Sequence, residues 1–172
     1  LSPSTTAGTN SNNKMYANTI QTCNTGIAIL GFAYTTVGTG NDVNNDIGGS
    51  VLANGNTIKD WGPGTTAIDC YGVRLFGQYN VKVLYNNINN DVLASTNAVG
   101  NIYGIYNGAA LSAPATITNN TVTLRDAGLT TTSNGIINVA GSTAAANTVN
   151  ISNNTITGFV RTSNTTGATY GI

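Results

Sequence analysis

The chain has 172 residues, 40% of them hydrophobic, and a formal net charge of zero, because six Lys and Arg balance six Asp. This length is ample for a sizeable core, and a neutral chain with this hydrophobic content should be folded rather than disordered. The scarcity of Lys and Arg argues against a nucleic-acid partner, and no apolar run is long enough to span a bilayer, so membrane insertion is not expected.

Residues 1–12 form a Ser/Thr/Asn-rich segment without the basic start and apolar centre of a signal peptide. The segment has no apolar period of its own, and it could cover the first coil of the repetitive part that follows. We expect the chain, which begins without Met, to be a piece of a longer protein.

From residue 13 onwards an aliphatic marker recurs at intervals of 38, 30, 34 and 34 residues, in phrases such as "ISNNTITG" (151–158). The markers are Ile20, Ile58, Ile88, Val122 and Ile156. Asn stands two residues before each marker, at Asn18, Asn56, Asn86, Asn120 and Asn154. Five residues before the markers are Met15, Ala53, Val83, Ile117 and Ile151, and seven before the last four are Val51, Val81, Ala115 and Val149. Alternation with period two predicts short strands with one buried face.

A second signature, Gly followed by an aliphatic residue, lies about midway through each unit. It occurs at Gly26-Ile27, Gly72-Val73, Gly104-Ile105, Gly135-Ile136 and Gly171-Ile172. Each unit therefore consists of a strand, an Asn turn, a second strand, a variable loop, the Gly-containing strand and another variable loop. Helical spacing of good helix formers is absent from the sequence.

Three short strands per unit and a near-constant period predict an all-β fold, a right-handed parallel β-helix of about five coils of about 34 residues over residues 13–172. A sandwich of antiparallel strands is the alternative, but it does not predict a fixed column of Asn. In the β-helix the repeated Asn would take the unusual backbone angles of the bend, and its side chain would point inward and form a ladder from coil to coil.

The "VxIxNNTI" phrase followed by "YGI" resembles the right-handed parallel β-helix repeats of secreted bacterial proteins. The stretch "NNTITGFVRTSNTTGATYGI" is similar to repeats of large cell-surface and type IX-secreted, adhesin-like proteins of Bacteroidota, and the resemblance covers residues 13–172. It implies the fold and an extracellular, secreted or cell-surface location. The same coils carry lyases, hydrolases and inert stalks, so the fold alone does not define the function.

Catalytic candidates are restricted because the chain contains neither His nor Glu. Asp60, Asp91 and Asp126 follow the markers of three successive coils, at offsets of two, three and four residues. They could form the carboxylate pair of a polysaccharide-cleaving enzyme, or they could be solubilising charges on loops.

A calcium site is a further candidate, in the long insertion at residues 35–49. Asp42, Asn44 and Asp46 place oxygen ligands at alternate positions, although Asn and Asp are also common turn formers. No other cofactor is expected.

The aromatic and sulfur-containing residues allow three further predictions. Tyr71, Tyr103 and Tyr170 precede the Gly of the repeat and are expected to stack in the core, whereas Trp61, at a turn, is expected to be exposed and able to stack on a sugar. Cys23 and Cys70 lie near equivalent positions of neighbouring coils, so they could form a disulfide or remain free buried thiols.

These observations favour a non-catalytic extracellular structural or adhesive module, with a fragment of a carbohydrate-active enzyme as the alternative. The expected partners are further coils of the parent chain, a second copy stacked end to end in a filament, and glycans. The strand edges at both ends of a β-helix could join another sheet, so the last coil should fray or self-associate.

Overall fold

The computed structural model describes residues 9–32, 41–62, 66–91, 98–108, 113–126, 131–140, 148–161 and 166–172. In these ranges the chain forms a parallel β-solenoid of about four turns with three strands per coil. Every pairing between the described strands is parallel, so the antiparallel sandwich is excluded and the predicted fold class is confirmed.

The strands, numbered in chain order, stack into three five-stranded sheets. Sheet A contains β1 (Lys14–Met15), β5 (Asp46–Ile47), β9 (Val81–Leu84), β12 (Ala115–Thr118) and β15 (Val149–Ser152). Sheet B contains β2 (Thr19–Gln21), β6 (Thr57–Lys59), β10 (Asn87–Asn89), β13 (Thr121–Asp126) and β16 (Thr155–Arg161). Sheet C contains β3 (Thr25–Leu30), β7 (Cys70–Phe76), β11 (Ile102–Asn107), β14 (Ser133–Asn138) and β17 (Thr169–Tyr170). A fourth sheet, D, pairs β4 (Asp42–Val43) with β8 (Gln78–Tyr79), and a 3-10 turn covers Leu52–Asn54.

The predicted markers stack in register on the inner face of sheet B. Ile88 pairs with Ile58 on one side and with Val122 on the other, and all three side chains are buried. Neighbouring strands in a sheet lie about 4.8 Å apart, so each aliphatic side chain packs on its equivalent in the next coil. Aliphatic side chains of sheets A and C complete this core.

In the second coil, the apolar positions predicted for sheet A were wrong. Val51 and Ala53 are exposed and lie in or beside the 3-10 turn, whereas Ile47 pairs with both Met15 and Val83 and is buried. The unit has extra residues between its sheet A strand and Asn56, so counting back from the marker reaches the insertion instead of the strand.

The bend between sheets A and B does not fall on the repeated Asn, as the sequence had suggested, but on the residue before it. That residue has a positive φ in four coils, at Ala17 (54°), Tyr85 (57°), Asn119 (60°) and Asn153 (55°). The paired asparagines of "NNT" therefore have separate roles: the first takes the left-handed conformation that Asn tolerates, and the second points inward.

The repeated glycine of sheet C stands where no side chain would fit beside sheet B. A Cβ atom added to Gly72 would clash with Ile88 Cγ2 and lie 2.6 Å from the carbonyl oxygen of Gly104, and Gly26, Gly104 and Gly135 have equivalent surroundings. Any side chain at these positions would force the two sheets apart, which explains the Gly of the second signature.

Residues 9–12, the described part of the predicted N-terminal segment, lie beside the second coil. The backbone N–H of Asn12 donates to the carbonyl oxygen of Val43, and the N–H of Asn10 donates to Asp42 Oδ1. These residues therefore run along β4 and already belong to the first coil.

Candidate functional site

A continuous ladder of five asparagine side chains runs along the solenoid, as predicted. Its rungs are the side-chain bonds Asn18–Asn56 (2.9 Å), Asn56–Asn86 (2.8 Å), Asn86–Asn120 (3.0 Å) and Asn120–Asn154 (2.9 Å), each from Nδ2 to Oδ1. Each accepting Oδ1 also accepts a hydrogen bond from the backbone N–H of the preceding Asn, as in the 3.0 Å bond from Asn86 N to Asn120 Oδ1.

The second Nδ2 hydrogen of the inner rungs is used as well. Asn86 Nδ2 donates to the carbonyl oxygen of Ile47 at 3.0 Å, and Asn120 Nδ2 donates to that of Val83 at 2.8 Å. Because Asn56, Asn86 and Asn120 are buried, this complete satisfaction removes the cost of placing amides inside the protein.

Two shorter polar rows were missed by the sequence analysis because they lie outside the repeated phrase. Inside the solenoid, Asn13 Nδ2 donates to Asn45 Oδ1 (2.9 Å) and Asn45 Nδ2 donates to Gln78 Oε1 (2.7 Å). On the outside, Asn44 Nδ2 donates to Asn12 Oδ1 (3.3 Å) and Asn80 Nδ2 donates to Asn44 Oδ1 (2.6 Å). Asn12, Asn44 and Asn80 all have positive φ, and in two of the three coils the sequence carries this row as an Asn-Asn pair, Asn12-Asn13 and Asn44-Asn45.

The three predicted calcium ligands point in different directions. Asp42 is buried and accepts hydrogen bonds from Gln78 Nε2 and Asn10 N, whereas Asn44 is exposed and belongs to the outer row. Asp46 is half-buried and accepts from Tyr16 Oη and Gly49 N. The positive φ of Asn44 (58°) interrupts the alternation between β4 and β5, so Asp42 and Asp46 do not share a face. Calcium binding therefore stays a prediction.

The three candidate catalytic carboxylates are also separated. Asp60 and Asp126 are buried, because even offsets from a buried marker place them on its face, whereas Asp91 has an odd offset and is half-buried. Asp91 forms an ion pair with Arg125, and Asp126 accepts from Thr131 Oγ1 (2.7 Å) and Ser133 Oγ (2.9 Å). The prediction that all three are solvated loop charges was wrong, and no solvent-facing carboxylate pair forms among them.

Trp61 is fully buried in the hydrophobic core, so the prediction that its ring is exposed for sugar stacking was wrong. Asp60 and Gly62, on either side, have positive φ values of 51° and 79°. The chain thus bends at both neighbours of Trp61, and the indole packs into the interior instead of projecting from the turn.

Cys23 and Cys70 are free thiols in the structure, which agrees with the second of the two alternatives, free thiols, and not with a disulfide. Cys70 Sγ instead lies 3.2 Å from Asn24 Nδ2, since the coils bring Asn24, and not Cys23, to the equivalent position. Burial raises the pKa of Cys70 to about 11. Titration of the denatured, unreduced chain should therefore count two thiols, and a count of zero would contradict the structure.

The tyrosines of the second signature stack, but on the outer face of sheet C and not in the core. Tyr71 and Tyr103 are parallel with centroids 4.9 Å apart, Tyr106 packs edge-on against both, and Arg74 lies 4.7 Å above the Tyr71 ring. The Gly and the aliphatic residue after it both face the core, so strict alternation is interrupted there and the Tyr before the Gly faces outward. Tyr170 is 54% exposed and does not extend the stack, because Asn134 occupies the intervening coil.

A groove of about 340 Å³ on the outer face of sheet A is the candidate binding site. We call it the sheet A groove, and it is lined by Asn12, Lys14, Tyr16, Asn44, Asp46, Asn80 and Lys82. Three coils contribute to it, because Lys14 pairs with Asp46 and Asp46 with Lys82 in adjacent strands. The outer Asn row forms one wall.

The charges in this groove alternate along the solenoid axis. Lys14 and Lys82 are exposed, and neither forms an ion pair with another described residue. Asp46, between them, accepts a 2.8 Å hydrogen bond from Tyr16 Oη, which together with the Asp46 charge raises the pKa of Tyr16. The groove therefore carries two exposed cations on either side of one hydrogen-bonded carboxylate.

Comparison with protein-family models gave no match, and none was found among curated proteins or solved structures. The resemblance to Bacteroidota surface proteins therefore has no support beyond the solenoid and its repeat pattern. In the described part of the chain, no helix is long and apolar enough to cross a membrane.

Proposed function

We propose that the chain is a non-catalytic structural or adhesive module of a secreted or cell-surface protein. The observation that carries this proposal is the asparagine ladder, which runs unbroken through every coil. A column of side-chain hydrogen bonds along the axis stiffens stacked coils, as suits a spacer or a scaffold that presents a binding face.

The surroundings of the acidic residues also support a non-catalytic role. Asp126 accepts hydrogen bonds from two hydroxyl groups, and Asp91 is paired with Arg125, so both carboxylates already have partners within the protein. The alternative, a fragment of a carbohydrate-active enzyme, would have to use Asp91, which is the most accessible of the three.

The edge strands suggest how such a module could be extended. The outermost strands β1, β2 and β3 at one end, and β15, β16 and β17 at the other, each have a single partner in their sheets. Their free backbone groups could pair with further coils of a longer chain or with a second copy, giving a filament.

Turnover assays distinguish the two functions. The protein is incubated with neutral and acidic polysaccharides, and new reducing ends and unsaturated products are measured. We expect no turnover. Cleavage by the wild-type chain that is abolished in Asp91→Ala, but retained in Asp69→Ala as a matched control, would overturn the proposal and favour the enzyme.

A further inference from the structure

We propose that the sheet A groove binds an acidic glycan, a sugar chain that carries carboxylate or sulfate groups. This inference rests on the proposed adhesive function and assigns it a ligand class and a location. Its first support is the spacing of charge: Lys14 and Lys82 occupy the same column two coils apart, which corresponds to about 10 Å between their strands. That separation matches acidic groups on nearby sugars of one chain better than a single small anion.

The second support is the polar wall. The outer row of Asn12, Asn44 and Asn80 presents amides at coil spacing along the groove. Amides both donate and accept hydrogen bonds, as sugar hydroxyls do. Asp46 is a further acceptor for hydroxyls, but it would repel an isolated phosphate or sulfate, so the mixture favours a ligand that carries both hydroxyls and acidic groups.

The third support is that the groove is preorganised. Tyr16 is held by its hydrogen bond to Asp46 (2.8 Å), and Asp46 is held in turn by the N–H of Gly49 (3.2 Å). A ligand that packs against the Tyr16 ring would therefore immobilise few additional groups in the protein. The groove contains none of Asp60, Asp91 and Asp126, so this binding site is separate from the carboxylates considered for catalysis.

The test is a calorimetric titration of the 172-residue chain with tetragalacturonate, with the fully methyl-esterified tetramer as the neutral match and a sulfated heparin tetrasaccharide as the second acidic source. We expect at least one acidic probe to bind more tightly than the neutral ester and to weaken with added salt. The acidic probe that binds more tightly shows whether the groove prefers carboxylate or sulfate groups. The double variant Lys14→Gln/Lys82→Gln should weaken this binding by about tenfold or more.

Lys59→Gln is the matched control, because Lys59 belongs to sheet B and lies outside the groove, and its binding should equal that of the wild type. The inference would be overturned if the neutral ester bound as tightly as the acidic probes, or if neither acidic probe bound. It would also be overturned if Lys59→Gln weakened binding as much as the double variant does. If no acidic probe binds and no polysaccharide is cleaved, the groove assignment fails while the proposed structural function stands. Polysaccharide cleavage would instead refute the proposed function.

Discussion

Asn86 is the central rung of the asparagine ladder, and its side-chain amide satisfies groups from the two neighbouring coils. Its Oδ1 accepts from Asn56 N and Nδ2, and its Nδ2 donates to Asn120 Oδ1 and to the carbonyl oxygen of Ile47. Removing such a group leaves its partners buried without hydrogen bonds, which costs more than the bonds themselves contribute.

We therefore expect Asn86→Leu, which has a similar volume, to lower the free energy of unfolding by about 3–5 kcal/mol. The control is Asn18→Leu at the exposed end of the ladder, where water can replace the lost partners, with a loss of about 1 kcal/mol or less. Urea denaturation followed by circular dichroism measures both. Equal losses of unfolding free energy in the two variants would show that the buried rungs stabilise the protein no more than the exposed one.

Tyr85 occupies the left-handed bend that Asn119 and Asn153 occupy in the following coils. A bulky residue with positive φ is strained, whereas Asn tolerates this region. We expect Tyr85→Asn to raise the free energy of unfolding by about 0.5–1 kcal/mol, and the reverse exchange, Asn119→Tyr, to lower it. Thermal melting of both variants checks these two directions. If Tyr85→Asn is not stabilised and Asn119→Tyr is not destabilised, side-chain packing at these positions outweighs the backbone strain.

At the scale of the strands, the glycine column of sheet C sets how closely two sheets can approach. Ala at Gly104 would clash with Val122 Cγ1 and lie 2.5 Å from the carbonyl oxygen of Gly135, and neither the backbone nor the packed valine can move far. Overpacking of this kind forces backbone shifts.

The predicted result for Gly104→Ala is a loss of about 2–3 kcal/mol in the free energy of unfolding. The chain offers its own control in Gly171→Ala, at the equivalent position of the last coil, where an added Cβ meets no atom within 4 Å. That variant should unfold like the wild type in the same urea titration. A stable Gly104→Ala variant would refute the close approach of sheets B and C.

For the whole molecule, stability is expected to vary along the axis, since each coil contacts only its neighbours. The central coils contain fully buried side chains such as Ile88, Ile105 and Ile117, whereas β17 is exposed and β16 is at most half-buried.

We expect backbone amides of the described residues 155–161 and 166–172 to exchange with solvent at least tenfold faster than those of β10 and β11. Hydrogen exchange measured by NMR on a monomeric sample gives these rates directly. Uniform protection along the axis, with no self-association, would contradict this expectation.

The sequence by itself determined the solenoid, its period and the asparagine ladder, because each depends on a residue type recurring at a fixed distance from an aliphatic marker. Stacking equivalent coils in register converts that recurrence directly into contacts, as in the pairing of Ile58 with Ile88. The role of the repeated Gly could not be derived in this way, since it depends on the distance between two different sheets.

Only the tertiary structure decided where the bends fall and what lies on each face. Positive φ at Asn44, Asp60 and the residues before the ladder breaks the strict alternation of strands, which is why Asp42 and Trp61 face the interior. The sheet A groove likewise could not be derived from the repeat. Lys14, Asp46 and Lys82 lie side by side in adjacent strands, but an insertion makes the sequence intervals between them irregular. Periodicity therefore predicts contacts within a column of equivalent residues, whereas bends and insertions between columns require the folded chain.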